Sequence, residues 1–212
     1  MDMDAGVVGL LLAGGRSSRL GGGDKCLRSL AGRPILSHII EHLKPQVGRM
    51  VLNANGDPSR FSAFGLPVVA DSIAGFAGPL AGVHAGLAWA RTNVPAARHV
   101  VTAATDTPFF PTDLVARFLS AVEDSPGKLA VARSEEGVHP VIGLWPVALA
   151  PVIEDFLEKG MRKVGAFAKQ QGAVEVYFPK VEIGGMPIDP FFNINEPEEL
   201  SRADALLREQ AQ

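Results

Sequence analysis

Residues 7–13, VVGLLLA, form an uninterrupted apolar run that stops on glycine. A strand of that composition cannot leave one face in water. It has to be covered on both faces, as in a parallel sheet flanked by helices. The same signal recurs along the chain. VGRMVLNAN reads as a second strand ending at Asn53, FGLPVVAD as a short third ending at Asp71, and ARHVVTAATD as a fourth ending at Asp106. Helical stretches alternate with them. RPILSHIIEHL places Ile35, Leu36, Ile39, Ile40 and Leu43 on one face, GVHAGLAWAR is a helix of small residues, and PTDLVARFLSAV begins near Pro111 or Thr112. To about residue 122 the order is strand, helix, strand, strand, helix, strand, helix. That order predicts an α/β, Rossmann-like three-layer sandwich around a mostly parallel mixed sheet.

The second half is less regular. KLAVARSEEGVHPVIGLW reads as two strands joined at SEEG, and WPVALAPVIEDFLEKG as a helix stopping at Gly160. RKVGAFAKQQG reads as a short helix, AVEVYF as an alternating strand, and EPEELSRADALLRE as a terminal amphipathic helix. With no repeat and no linker-like tract in 212 residues, the expectation is one domain spanning 1–212.

Charge and cysteine content narrow the function. A formal net charge of −3 with no basic stripe argues against nucleic acid as a partner. A single cysteine, Cys26, excludes an internal disulfide and a multi-cysteine metal cluster, which fits a reducing, cytoplasmic setting. The apolar start runs into glycines after about eight residues, too short for a membrane span or a signal peptide.

The segment after the first strand, LLAGGRSSRLGGGDK, holds five glycines, three cations and one acid. It satisfies neither standard phosphate motif. A Walker A loop needs Gly-Lys-Ser/Thr, whereas Lys25 stands between Asp24 and Cys26. The GxGxxG fingerprint fails because Gly21, Gly22 and Gly23 are consecutive. The physical logic of an anion site survives. Glycine-rich backbone can aim several N–H groups at one anion, and Arg16, Arg19 and Lys25 add charge-assisted donors.

These residues resemble the signature loop of nucleotidyltransferases with a GT-A-like α/β fold, the nucleotide-diphospho-sugar transferase type. More narrowly, Leu-Ala-Gly-Gly followed by Gly-Gly-x-Asp-Lys is similar to molybdenum cofactor guanylyltransferases. VLNAN (51–55), VVADSIAGFAGPLAGVHAGL (68–87), TDTPFFPTDL (105–114), HPVIGLW (139–145), MRKVGAF (161–167) and FFNINEPEEL (191–200) agree in order. Cys26 departs from the pattern, where glycine is more usual after the lysine.

In open α/β sheets ligands sit beyond the carboxyl ends of the strands. Gly14, Asn53, Asp71 and Asp106 all end predicted strands, so they should share one rim. Asn53 also fits simple turn chemistry, and Asp71 a loop cap. Asp106, ending a buried strand, needs a cation or a partner. The resemblance implies that Leu12, Ala13, Gly14, Gly15, Lys25, Asn53, Asp71, Gly78 and Asp106 bind GTP. It also implies that Asp106 holds Mg²⁺ and that Arg19, Lys25 and Asp106 carry catalysis. Asn193 and Asn195 would line the side of the acceptor, molybdenum-molybdopterin, although Asn195 also suits a capping box with Glu198. Arg162 and Lys163 would suit an anionic acceptor or merely a solvated helix face, and His139 reads as structural. The implied reaction is transfer of GMP from GTP to the terminal phosphate of molybdopterin. Transient contacts with molybdenum-insertion and molybdoenzyme-maturation proteins fit that role. A cytidylyl or sugar-phosphate nucleotidyltransferase, or a non-catalytic nucleotide-regulated pterin carrier, remains the alternative.

Overall fold

The computed structural model describes residues 6–14, 23–71, 78–125 and 127–210. In chain order the strands are β1 (Val7–Leu12), β2 (Ser29–Leu30), β3 (Arg33–Pro34), β4 (Arg49–Asn53), β5 (Val68–Val69), β6 (His99–Ala104), β7 (Ala130–Ser134), β8 (Gly137–Pro146), β9 (Val174–Tyr177), β10 (Val181–Ile183) and β11 (Met186–Ile188). The helices are α1 (Ile35–Leu43), α2 (Pro79–Asn93), α3 (Leu114–Ala121), α4 (Ala150–Glu158), α5 (Val164–Gln170) and α6 (Pro197–Gln210).

One sheet dominates, with strand order β5-β4-β1-β6-β8-β7-β9. Strands β5, β4, β1 and β6 are mutually parallel, and β8 alone runs against its neighbours β6 and β7. β9 closes the edge parallel to β7. The mostly parallel mixed sheet expected from the apolar runs is therefore the frame of the molecule.

β1 explains the layering. All six of its residues are buried. Alternate residues feed opposite cores, as the two-residue period of a strand requires. Val7 and Leu11 pack with α1, α3 and α6 through Ile39, Phe118 and Leu206. Val8, Leu10 and Leu12 pack with α2, α4 and α5 through Leu87, Ile153 and Phe167. Glycines set how closely a helix can lie on the sheet. A methyl at Gly86 would collide with Leu10, so α2 rests directly on β1.

The predicted helix starting near Trp145 is shorter than expected. β8 continues to Pro146, and α4 begins at Ala150. Trp145 pairs with Val100 in the ladder, and its Nε1 donates to Thr102 Oγ1 at 2.9 Å, so the strand outcompetes the helix there. The hairpins β2–β3 and β10–β11 and the 3-10 segment Pro58–Phe64 had not been expected. Among the described residues no helix is long and apolar enough to cross a membrane.

Candidate active site

The chain leaves β1 to build β4 and β5 on one side, then crosses back to build β6 on the other. At such a reversal the connections diverge and open a crevice at the carboxyl ends of the strands. A cleft of about 1380 Å³ lies there, larger than the roughly 300–1,000 Å³ of a single small-ligand site. Among the expected residues Leu12, Ala13 and Gly14 line it where β1 ends, with Asn53, Asp71 and Gly78 to one side. Lys25, Asp106, Asn193 and Asn195 line it as well. Gly15 and Arg19 lie outside the described residues.

The centre of the cleft is a cation clasped by two chain segments. Lys25 begins a short 3-10 turn, Lys25–Leu27. Its Nζ donates to Asp106 Oδ2 and to Asn195 Oδ1, each at 2.7 Å. Side-chain exposure is 11% for Lys25 and 21% for Asp106, so the pair is partly shielded from solvent. The carbonyl of Asp106 accepts from the N–H of Ile194 at 2.9 Å. That bond ties the strap Asp189–Asn195 to the end of β6. The other carboxylate oxygen, Asp106 Oδ1, is buried and has no hydrogen-bond partner among the described residues. An orphaned anionic oxygen is costly and marks a place for a ligand. A hard divalent cation suits it, since Mg²⁺ is commonly held by one or two carboxylates plus phosphate oxygens. Among the described residues no group of three His, Cys, Asp or Glu side chains could hold a metal by itself. A cation here would have to share its coordination with substrate.

Asn195 does not spend its side chain on capping. Glu199, rather than Glu198, closes the first turn of α6: its Oε2 accepts from Asn195 N at 2.5 Å and from Glu196 N at 2.8 Å. Because Pro197 is the first helical residue, Glu199 is the one that can reach back over the turn. The Asn195 amide is thereby left to face Lys25.

On the β4 flank, Asn53 is 4% exposed, and its Nδ2 donates to Asp71 Oδ1 at 3.0 Å and Val69 O at 3.2 Å. Asn55 grips Asp71 from the other side, donating to Oδ2 and accepting from its N–H, both at 2.9 Å. The two asparagines hold the carboxylate in one orientation. Asn55 was not anticipated, although Asn-x-Asn at a strand end puts both side chains on one side. Helix α2 is drawn tight against this group: a methyl at Gly82 would collide with Asn53 Oδ1 and come within 2.8 Å of Leu12 Cδ2. Gly78, with φ of 149°, forms the N-cap of α2 and opens its amino end on the cleft.

The opposite flank is built from the start of β8 and the strap. Glu136, Val138, His139 and Pro140 line it, with Asp189 and Phe192 facing from the strap. His139 Nε2 lies 2.8 Å from Ser134 Oγ and its ring centroid 4.8 Å from that of Phe191. Burial holds its pKa below the ordinary histidine value, against the opposing pull of Asp189 and Glu136. These contacts agree with a structural reading of His139, although it faces the cleft. Arg162 and Lys163 sit exposed on the connection from α4 to α5 and are not among the residues lining the cleft. The Cys26 thiol is buried, and its pKa is pushed up to about 11 by desolvation and then by Asp24. It is a protonated core group.

A family model described as the MobA-like NTP transferase domain matches residues 9–174. The chain is 48% identical to a molybdenum cofactor guanylyltransferase of Mesorhizobium japonicum over 95% of this chain and 96% of the relative. It is 49% identical to another of that name from a Bradyrhizobium species, over 94% and 92%. Among solved structures it resembles molybdopterin-guanine dinucleotide biosynthesis protein A of Archaeoglobus fulgidus, with a TM-score of 0.69 and 20% identity over 95% of this chain and 99% of that one. At that identity the likeness concerns the fold. Matched through most of its length by the family model and at close range by its relatives, the chain belongs to the MobA-like NTP transferases.

Proposed function

We propose that this protein transfers GMP from GTP to the terminal phosphate of molybdenum-molybdopterin, releasing pyrophosphate and forming a molybdopterin guanine dinucleotide. The observation that carries the reading is the Lys25–Asp106 pair, with one carboxylate oxygen left over, between the two flanks of a cleft at the sheet's reversal. The attacking group is a phosphate monoester, already anionic at neutral pH, so no strong general base is needed. Catalysis then reduces to alignment and charge neutralisation.

Each flank has a task in this reading. The backbone of Leu12–Gly14 and the amino end of α2 at Gly78 face the guanine. Asn53 and the doubly held Asp71 address the nucleoside. Lys25 leaves Asp106 and moves onto the β,γ-phosphates, joined by Arg19 and the amides around Gly15. Asn193 and Asn195 position the acceptor phosphate. The acceptor assignment rests on these two rather than on Arg162 and Lys163, which lie outside the cleft lining. Mg²⁺ held by Asp106 supplies, when bound, neutralisation of the triphosphate charge.

The test is direct. The protein is incubated with each of the four NTPs, Mg²⁺ and molybdate-loaded molybdopterin, and the product is identified by mass. A guanine dinucleotide with stoichiometric pyrophosphate is expected. GTP binding without pyrophosphate release would instead make the chain a carrier. Replacing Mg²⁺ by chelator should abolish turnover.

A further inference from the structure

Among the carboxylates lining the cleft, Asp189 is the second, after Asp106, with a buried oxygen left without a partner among the described residues, and phosphate transfer does not account for it. It is only 5% exposed, yet it lines the cleft. It opens the strap with a turn: its Oδ1 accepts from Phe191 N at 2.8 Å and its carbonyl from Phe192 N at 3.0 Å. Its Oδ2 is buried and has no hydrogen-bond partner among the described residues. Neither neighbouring base completes it. Lys180 Nζ is 2.9 Å from Glu135 Oε2, and His139 Nε2 is 2.8 Å from Ser134 Oγ. A turn of this kind needs one side-chain oxygen, which asparagine or serine also supplies. The buried charge and its second oxygen are excess to that purpose, and an anion with so few donors is expensive to keep.

Its place in the cleft selects the ligand. The base flank is formed by β4, β5 and α2. Asp189 lies on the other flank, with β8, beyond the Lys25–Asp106 centre. An acceptor whose phosphate meets the α-phosphorus at that centre extends its remaining ring system along this flank. A pterin presents a ring N–H and a 2-amino group side by side on its pyrimidinone edge. A carboxylate accepts such a donor pair with charge-assisted bonds.

We infer that Asp189 is a specificity-determining residue for the acceptor, its carboxylate receiving the donor edge of the pterin. This rests on the proposed function, whose failure would show separately as absence of wild-type transfer to molybdopterin. The test uses two inhibitors of that transfer: a pterin bearing a 6-methyl phosphate, and its lumazine counterpart, in which a carbonyl replaces the 2-amino group. A site built to pair with that amino group discriminates against its absence. The wild type should be inhibited at least about tenfold more strongly by the pterin. In Asp189→Asn, and in Asp189→Ser, which keeps an oxygen for the Phe191 N–H, the preference should vanish. The KM for molybdopterin should rise about tenfold or more, with the KM for GTP within about twofold of wild type. A merely structural Asp189 would leave the pterin-to-lumazine ratio unmoved. Equal inhibition of the wild type by the two compounds, including none by either, overturns the inference. So does retained preference in both variants, or a rise confined to the KM for GTP, which would place the guanine there instead.

Discussion

Asp106 carries its two oxygens in opposite circumstances, one held by Lys25 and one buried without a partner among the described residues. The second oxygen is of no use to the ligand-free fold, so removing the side chain should cost function far more than stability. Asp106→Ala should lower transfer by about 10²–10³, with a thermal midpoint moved by only a few degrees. Magnesium titrations followed by activity and unfolding together would check this, and near-normal turnover in the folded variant would sink the metal assignment. Lys25→Ala should weaken triphosphate binding as well as turnover. Cys26 behaves in the opposite way. Its thiol is favoured over thiolate in the folded chain, with a pKa of about 11 against about 8.5 unfolded. The stabilisation from keeping it protonated is present below the unfolded value and is lost as pH rises toward the folded one. The stability advantage of wild type over Cys26→Ala, measured by urea unfolding, should therefore narrow between about pH 8.5 and 11. Turnover of Cys26→Ser near neutral pH should match wild type, since no step needs a thiol.

Elements differ in how plainly they announce themselves. β1, β4 and β6 are legible because their residues are largely buried on both faces and mostly apolar. Their terminal Asn53 and the nearby Gly14, Asp71 and Asp106 could be placed on one rim for the same reason. β2–β3 and β10–β11 have only two or three residues per strand, too few for a period to show. Their stability comes from neighbours. Gly184-Gly185 was the overlooked hairpin signal, with φ of 56° and 72°. Asp189 was missed because an Asp-Pro pair reads as turn chemistry, and burial of its second oxygen is a tertiary fact. The seating of α2 on Asn53 is likewise invisible in the sequence, although Gly82 and Gly86 hint at close approach. It yields a prediction at this scale. Gly82→Ala should push α2 off the β4 end and turn Asn53 away from Asp71, because a methyl there has no room. We expect a cost of about 1–3 kcal/mol from overpacking and a raised KM for GTP. Unchanged GTP affinity in the folded variant would show that the Asn53–Asp71 arrangement does not serve the nucleotide.

At the scale of the whole molecule the proposed function divides one cleft into three parts, and base choice tests that division. In the proposed function guanine would offer two N–H donor groups and a carbonyl acceptor to the backbone of Leu12–Gly14 and the amino end of α2. Cytosine is smaller and would leave both a gap and unpaired polar groups. A site built to satisfy such groups rejects the wrong base more strongly than shape alone does. GTP should therefore be preferred over CTP and ATP by at least about tenfold, or roughly 1.4 kcal/mol. Gly14 is the position to probe. It is exposed at the cleft, and among the described residues a methyl added there would meet no atom within 4 Å. Gly14→Ala should consequently fold normally while placing its methyl in the space assigned to the base. The resemblance points the same way, since Leu-Ala-Ala-Gly is common in cytidylyl relatives where this chain has Leu-Ala-Gly-Gly. Competition between equimolar GTP and CTP, with dinucleotide products resolved by mass, measures the preference in both proteins. The wild type should yield the guanine product, and Gly14→Ala should lose most of that selectivity at unchanged thermal stability. Equal incorporation by the wild type, or a preference for CTP, would make the chain a cytidylyltransferase even with Lys25 and Asp106 in the roles given to them.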